Sequence, residues 1–224
     1  EKNDWIGGAA VSRELTPNIL YSNCSYVCSL FRPEIMRDLE LPKHGLQIIG
    51  IDGGVVFTKD GGYLASYRNH NAKRREMARH SVRDSEAYEL YSRDVTKQCR
   101  FIQPLLMRTA PDPTSFKIRD ISELFYLIKQ FNNLSANQMA ETVRFWTMSI
   151  SDFLNEYFEN NVIKASLALS GIIGTALGPM SPGTAYVLLH HYMGEVDGSI
   201  GAWGYARGGM GAITKALTSS FKAS

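Results

Sequence analysis

The residues best placed to do chemistry in this sequence include several that have no side chain at all. In GAWGYARGGMGAITKAL, residues 201–217, the glycines Gly208, Gly209 and Gly211 surround Met210. Met210, Ile213, Leu217 and Phe221 then recur at helical spacing, which predicts a helix beginning close behind Gly208 and Gly209. Unpaired N–H groups at a helix start, the positive end of its dipole and a backbone without Cβ atoms together suit an anionic or polar ligand. A tight turn feeding a packed helix gives the same pattern. Trp203 and Tyr205, just upstream, offer flat apolar faces that either pack on a ring-shaped or elongated ligand or seal a core.

The chain opens EKNDWIGGAAVSREL. A carboxylate such as Glu1 suits the vicinal diol of an adenosine ribose, and Gly7-Gly8 would let the main chain run against a ligand. His190 and His191 are neighbours on an expected helix, so their side chains point about 100 degrees apart and chelate one metal poorly. Each could instead exchange protons in a cavity or serve as a structural histidine. Cys24 and Cys28 stand in C-x3-C spacing without a second pair, and Cys99 falls on an apolar helical face. Reduced, buried thiols are expected rather than a disulfide framework, and no metal site is expected. Lys73, Arg74 and Arg75 beside His70 form the densest positive cluster, read as a solvated helix face or a polyanion contact. With 24 basic and 22 acidic residues, no overall field selects nucleic acid, and 44% hydrophobic with 21% charged residues is the balance of a folded protein.

The elements that must position these groups follow from periodicity. An extended segment over 9–15 is turned by Thr16-Pro17-Asn18, and a short helix over 33–41 has Pro33 in its first turn. Segments 46–51, 55–59 and 63–67 read as strands of one small antiparallel sheet, with Asp60-Gly61-Gly62 as a hairpin. From about Ala72 the pattern turns helical. Tyr88, Tyr91, Val95, Cys99, Ile102 and Leu106 form one stripe, so a long helix is expected over 84–107, bent or ended near Pro104. After a proline-containing linker over 109–114, Ile121, Leu124, Phe125, Ile128 and Phe131 define a second helix. Ser135 with Gln138 forms a capping box for a third helix carrying Met139, Val143 and Trp146, and Ser149 caps a fourth with Phe153, Leu154 and Tyr157. All these stripes are expected to be core. Ser181-Pro182 reads as the start of a helix running through Met193. The apolar tract 165–180 is too short and too interrupted to span a membrane.

Taken together, Glu1 with Gly7-Gly8, and the segments SRELTPNILYSNCSYVCSLFRPEIMRDLELPKHGL, LLHHYMGE and GAWGYARGGMGAITKAL in that order, resemble the phytoene desaturase-like family of FAD-dependent oxidoreductases, and within it a branch of pyridine nucleotide-disulfide oxidoreductase domain-containing proteins. The resemblance spans nearly the whole chain. It implies a two-domain α/β flavoprotein of the NAD(P)-binding Rossmann-like kind, represented here by an α+β portion, a small antiparallel sheet plus a helical block. Residues 1–11 and 205–224 would be part of the FAD-binding domain and residues 12–204 the substrate domain. It implies FAD-linked desaturation, saturation or isomerisation of carbon–carbon bonds in a hydrophobic substrate by hydride exchange, with an electron acceptor it does not identify. By the same resemblance Glu1 would hold ribose, Gly7 and Gly8 would pass the flavin closely, and Gly208, Gly209, Met210 and Gly211 would border the cofactor. Trp203 and Tyr205 would line the substrate cavity, and His190 and His191 are candidate catalytic residues. In the family a glycine-rich phosphate loop lies just upstream of the position of Glu1 and the flavin domain continues past that of Ser224, so the 224 residues alone are expected to hold FAD weakly. Related proteins often carry arginine after the glycine doublet. Ala9 stands there, which passes phosphate contact to Arg13 or Arg207. A cytoplasmic or organellar site, peripheral contact with a membrane and a homo-oligomer are compatible with the resemblance. So are two other readings, a non-catalytic flavin-fold binding or regulatory protein and a stand-alone helical interaction module.

Overall fold

The computed structural model describes residues 2–224, and Glu1 lies outside them. In chain order it contains strands β1 (Ser12–Thr16) and β2 (Ile19–Ser22), helix α1 (Pro33–Asp38), strands β3 (Ile48–Gly50), β4 (Gly53–Phe57) and β5 (Tyr63–Tyr67), and helices α2 (His70–Ala78), α3 (Val82–Ile102), α4 (Ile118–Asn132), α5 (Ala136–Thr147), α6 (Ile150–Asn155), α7 (Asn161–Ala168) and α8 (Thr184–Tyr192). Strands β6 (Glu195–Val196), β7 (Ser199–Ile200) and β8 (Gly204–Ala206) lead to helix α9 (Gly211–Ala223). The fold is α+β. Contacts divide it into two compact units, one of residues up to Lys73 together with His191–Ser224, the other Arg74–His190. The partition expected at 11/12 and 204/205 does not coincide with this division. Among the described residues, no helix is long and apolar enough to cross a membrane.

In the first unit the strands pair as antiparallel couples. The β4–β5 hairpin forms at Asp60-Gly61-Gly62, where Gly61 has φ +83° and the Asp60 carboxylate accepts from Gly62 N–H and the Thr58 hydroxyl. The single sheet expected over 46–67 does not form. β3 pairs instead with β8, Ile48 opposite Ala206 and Gly50 opposite Gly204, and the ladder is extended by Ile51 N–H to the Trp203 carbonyl (2.8 Å) and Arg207 N–H to the Gln47 carbonyl (2.9 Å). Glycine at 204 permits this, since a Cβ there would sit 2.6 Å from Ile48 Cγ2 and 3.0 Å from the Ile49 carbonyl oxygen. Its backbone also exchanges two 2.8 Å hydrogen bonds with Cys28. A core of Cys28, Leu41, Leu46, Ala206, Met210, Ile213 and Ala216 joins these strands to α9.

In the second unit, Ser81 caps α3 by accepting from Asp84 N–H (3.1 Å), and Tyr88, Tyr91, Val95, Cys99 and Ile102 are buried along it as their spacing requires. Pro104 ends the helix in a 3-10 turn. Tyr91 packs its ring against Phe153, Tyr157 and Phe158, with centroids 5.2–5.8 Å apart. Both oxygens of the buried Asp84 carboxylate are used, accepting from Glu159 and Asn160 N–H at 2.9 Å, and Asn160 in turn caps α7. The Ser135–Gln138 capping box and the Ser149 cap form as the sequence indicates.

Two expectations are corrected here. α8 begins at Thr184, not behind Ser181, because Gly183 takes φ +83° and breaks the helical path. The fully buried Thr184 hydroxyl then accepts from Ile150 N–H (2.8 Å) and donates to the Ser181 carbonyl (2.7 Å). The apolar stripes of α4 and α5 are also not all core, since Ile121, Phe125, Ile128 and Val143 are exposed. α4 carries apolar residues over too wide an arc for one packing face. Phe131 packs on Phe101 and Trp146 (5.2 and 6.2 Å), which turns the Phe125 side outward.

Candidate functional site

The site builds on the start of α9. Gly208 and Gly209 have φ +85° and +81°, a left-handed turn open to glycine and costly to other residues, and it delivers the chain into the helix. The β1–β2 hairpin lies across that start. Ser12 and Ser22 face each other in register with their hydroxyls 3.3 Å apart. Ser22 Oγ accepts from Met210 N–H (2.9 Å) and Ser12 Oγ from Gly211 N–H (3.0 Å), while Ala212 and Ile213 N–H bond the Gly209 and Met210 carbonyls. The expectation of unpaired amides at this helix start is therefore corrected, because two serines from the hairpin have taken the place an anion would occupy.

The N-terminal glycine doublet reaches the same helix. Gly7, at φ +121°, lies so close to Thr214 that a Cβ on it would be 2.7 Å from Thr214 Cγ2 and 3.0 Å from the Ala10 carbonyl oxygen. Thr214 Oγ1 donates to the Ala10 carbonyl (3.4 Å) and the Gly211 carbonyl (2.9 Å). The glycines fall into two kinds. At Gly7, Gly209 and Gly211 the chain's own atoms, Thr214 or Ser12, fill the missing side-chain space. At Gly8 and Gly208 a Cβ would meet nothing within 4 Å, so this backbone faces open space.

Beside the doublet is a cavity of about 520 Å³. Trp5, Ile6 and Val11 make its apolar wall, Ser12, Thr214, Thr218 and Ser219 contribute hydroxyls, and Lys215 and Lys222 supply its charge, all of one sign. Arg13 stacks its guanidinium 4.3 Å from the centre of the Trp5 ring. An apolar wall, a row of hydroxyls and two cations form a surface suited to a flat ring system that carries an anionic group. α9 is fixed in place by a 2.9 Å hydrogen bond between His44 Nδ1 and Ser219 Oγ at the cavity's edge and by another from Ser220 Oγ to the Leu39 carbonyl.

The remaining sequence candidates go elsewhere. Glu1 lies outside the described residues. Met210 is buried in the core beneath the cavity's helix. Trp203 donates from Nε1 to the His191 carbonyl (3.1 Å), with its ring 6.2 Å from the imidazole, and Tyr205 is exposed on β8. Neither Trp203, Tyr205 nor His191 lines the cavity, and His190 belongs to the second unit, where it is exposed. Arg207 hydrogen-bonds Gln47 Oε1 (3.1 Å). Cys24 is exposed, contrary to the expectation of burial, whereas Cys28 is buried and desolvation pushes its thiol up. No group of three or more His, Cys, Asp or Glu among the described residues could hold a metal ion.

Sequence reasoning missed Ser12, Ser22, Trp5, Ile6 and the polar face of α9. Part of that face was visible in the spacing, since Lys215, Thr218, Ser219 and Lys222 at i, i+3, i+4 and i+7 share one side of a helix.

No family model matches the chain. Two curated relatives are similar to it along nearly its whole length. "Pyridine nucleotide-disulfide oxidoreductase domain-containing protein 2" of Mus musculus is 36% identical over 236 residues, covering 98% of this chain and 40% of the relative. The protein of the same name from Rattus norvegicus is 35% identical over 236 residues with the same coverage. The chain thus spans about 40% of the length of these relatives.

Proposed function

We propose that this chain forms part of an oxidoreductase that uses FAD, and that it acts on carbon–carbon bonds of a hydrophobic substrate in the manner of phytoene desaturase-like enzymes. The observation that carries the reading is that two remote glycine clusters, 7–8 and 208–211, both reach the start of α9 and each leaves one position of open backbone, Gly8 and Gly208. The names of the similar mouse and rat proteins supply the reaction class.

The residues present fit FAD in part. Gly8 and Gly208 offer backbone over which nothing stands within 4 Å, as close approach by a flat ring requires. Trp5, Ile6 and Val11 would keep water from the ring system, while Lys215 and Lys222 would oppose the charge of the diphosphate. The α9 amides are already bonded to serine hydroxyls, so the phosphates would draw on these side chains and not on the helix start. When bound, FAD supplies the capacity to accept or return a hydride, and the protein's share is orientation and exclusion of water. Glu1 remains the proposed ribose ligand.

The test is the visible spectrum of the natural full-length polypeptide carrying this sequence. The expected result is a flavin spectrum at one equivalent, bleached by dithionite, and turnover of an apolar polyene with an added electron acceptor. Flavin without turnover would identify a binding protein instead, and a colourless protein that takes up no FAD would end the flavoprotein reading.

A further inference from the structure

What the cavity beside α9 offers a ligand depends on where its hydroxyl protons go, since a serine or threonine has one proton to give. Thr218 Oγ1 gives its proton to the Thr214 carbonyl (2.8 Å), and Thr214 Oγ1 gives its own to the Gly211 and Ala10 carbonyls. Both are committed to backbone. Ser219 Oγ is paired with His44 Nδ1 (2.9 Å) at the cavity's edge. Ser12 also lines the cavity, and its bonds leave its proton undecided.

Ser12 Oγ accepts from Gly211 N–H (3.0 Å) and lies 3.3 Å from Ser22 Oγ, which accepts from Met210 N–H (2.9 Å). One proton joins the two hydroxyls, and it can be placed in two ways. If Ser12 donates, its proton is spent on Ser22 and only a lone pair faces the cavity. If Ser22 donates, the Ser12 oxygen receives two hydrogen bonds and its own proton is free to enter the cavity. Ser12 lines the cavity and Ser22 does not, so the second arrangement is the one that presents a donor there. The surrounding charge favours it for an anionic ligand. Lys215 stands one turn along α9 from Gly211, Lys222 shares its face, and among the described residues lining the cavity none is acidic. The two capped amides lie at the positive end of the helix dipole and polarise both serine oxygens, which strengthens the outward O–H as a donor.

We propose that Ser12 donates a hydrogen bond to an oxygen of the ligand's diphosphate, and that Ser22 is a positioning residue that holds the Ser12 proton in that direction. The proposal rests on the flavin reading for the identity of the ligand. The two serines, alike as caps of α9, thereby differ toward the ligand.

The experiment is a fluorescence titration of FAD into the natural full-length polypeptide freed of cofactor. Ser12→Ala should weaken FAD binding by about tenfold or more, as loss of a hydrogen bond to a charged oxygen requires. Ser22→Ala should weaken it by about two- to threefold, because the donor remains but its direction is no longer held, and Ser22→Thr should restore it. The two alanine variants lose equivalent caps, so their urea midpoints should match, and a difference in affinity between them cannot come from lost stability. Riboflavin, which carries no phosphate, should bind Ser12→Ala and wild type alike. Equal losses of FAD affinity in the two alanine variants overturn the proposal and leave the flavin reading intact. So does Ser12→Ala or Ser22→Ala at wild-type affinity, or a Ser12→Ala penalty that is as large with riboflavin, which would put the bond on the ring system. A wild type that takes up no FAD overturns both.

Discussion

Removing the hydroxyls of Ser12 and Ser22 tests the arrangement on which the candidate site depends. Each hydroxyl satisfies one amide at the start of α9, Gly211 at 3.0 Å and Met210 at 2.9 Å, and the two lie 3.3 Å apart. Loss of a helix-capping oxygen costs about 1 kcal/mol, within a range of roughly 0.5–2. Ser12→Ala and Ser22→Ala should each cost about that amount, and the double variant about 1.5 kcal/mol. Because either single change also breaks the contact between the hydroxyls, the double cost should fall short of the sum of the singles by several tenths of a kcal/mol. Urea unfolding followed by circular dichroism gives the energies. Hydrogen exchange gives the location, with the Met210 and Gly211 amides exchanging faster while those of α5 and α6 do not change. If both single variants stay within about 0.3 kcal/mol of wild type and these two amides exchange unchanged, the hairpin does not cap the helix and the account of the site is wrong.

Other consequences can be read in the second unit and at the cysteines. Thr184→Val keeps the shape of the side chain but leaves the buried Ile150 N–H without its acceptor, so unfolding should cost about 1–3 kcal/mol less in the same urea titration, while Thr184→Ser keeps the acceptor and loses only a buried methyl, at about 1 kcal/mol. Burial raises the Cys99 thiol from 9.0 to about 12 and the Tyr88 phenol from 10.0 to about 12, and burial with the nearby Asp94 carboxylate raises Tyr157 as well. The folded state thus keeps protons that the unfolded chain releases. Stability should be unaffected by these groups below about pH 9 and fall above it, by up to about 1.4 kcal/mol per pH unit for each group titrating, a loss visible as a falling urea midpoint between pH 9 and 12. A midpoint that does not move over that range would contradict the burial of these groups. At pH 8, a thiol reagent should label Cys24 quickly, and Cys28 and Cys99 only after unfolding, as counted by mass spectrometry.

Much of the fold that depends on neighbours in sequence was legible. The Ser135–Gln138 box, the Asp60-Gly61-Gly62 hairpin and the end of α3 at Pro104 each need only a few consecutive residues, and each forms. What was not legible depends on which distant segment arrives. β3 looks like a partner for β4, yet it pairs with β8 from the far end of the chain, where Gly204 clears space beside Ile48 and Ile49. The caps on α9 come from serines 188 and 199 residues away. No periodicity marks such a residue, because a serine on a strand reads only as a polar position.

The glycines set the limit of what the sequence says about the site. A glycine shows where a side chain is not tolerated but not what takes its place, and here the same residue type has two causes. Gly7, Gly209 and Gly211 are bare because Thr214 and Ser12 occupy the space, so their pattern records internal packing. Gly8 and Gly208 lie beside open space and adopt positive φ, so only they leave backbone exposed to a ligand. Alanine at Gly7 should therefore destabilise the fold with or without a cofactor. At Gly8 and Gly208 the backbone strain of about 1–2 kcal/mol would be joined by a loss of flavin affinity in the full-length protein. Equal effects on flavin binding at all five glycines would mean that the distinction between filled and open positions has no bearing on the cofactor.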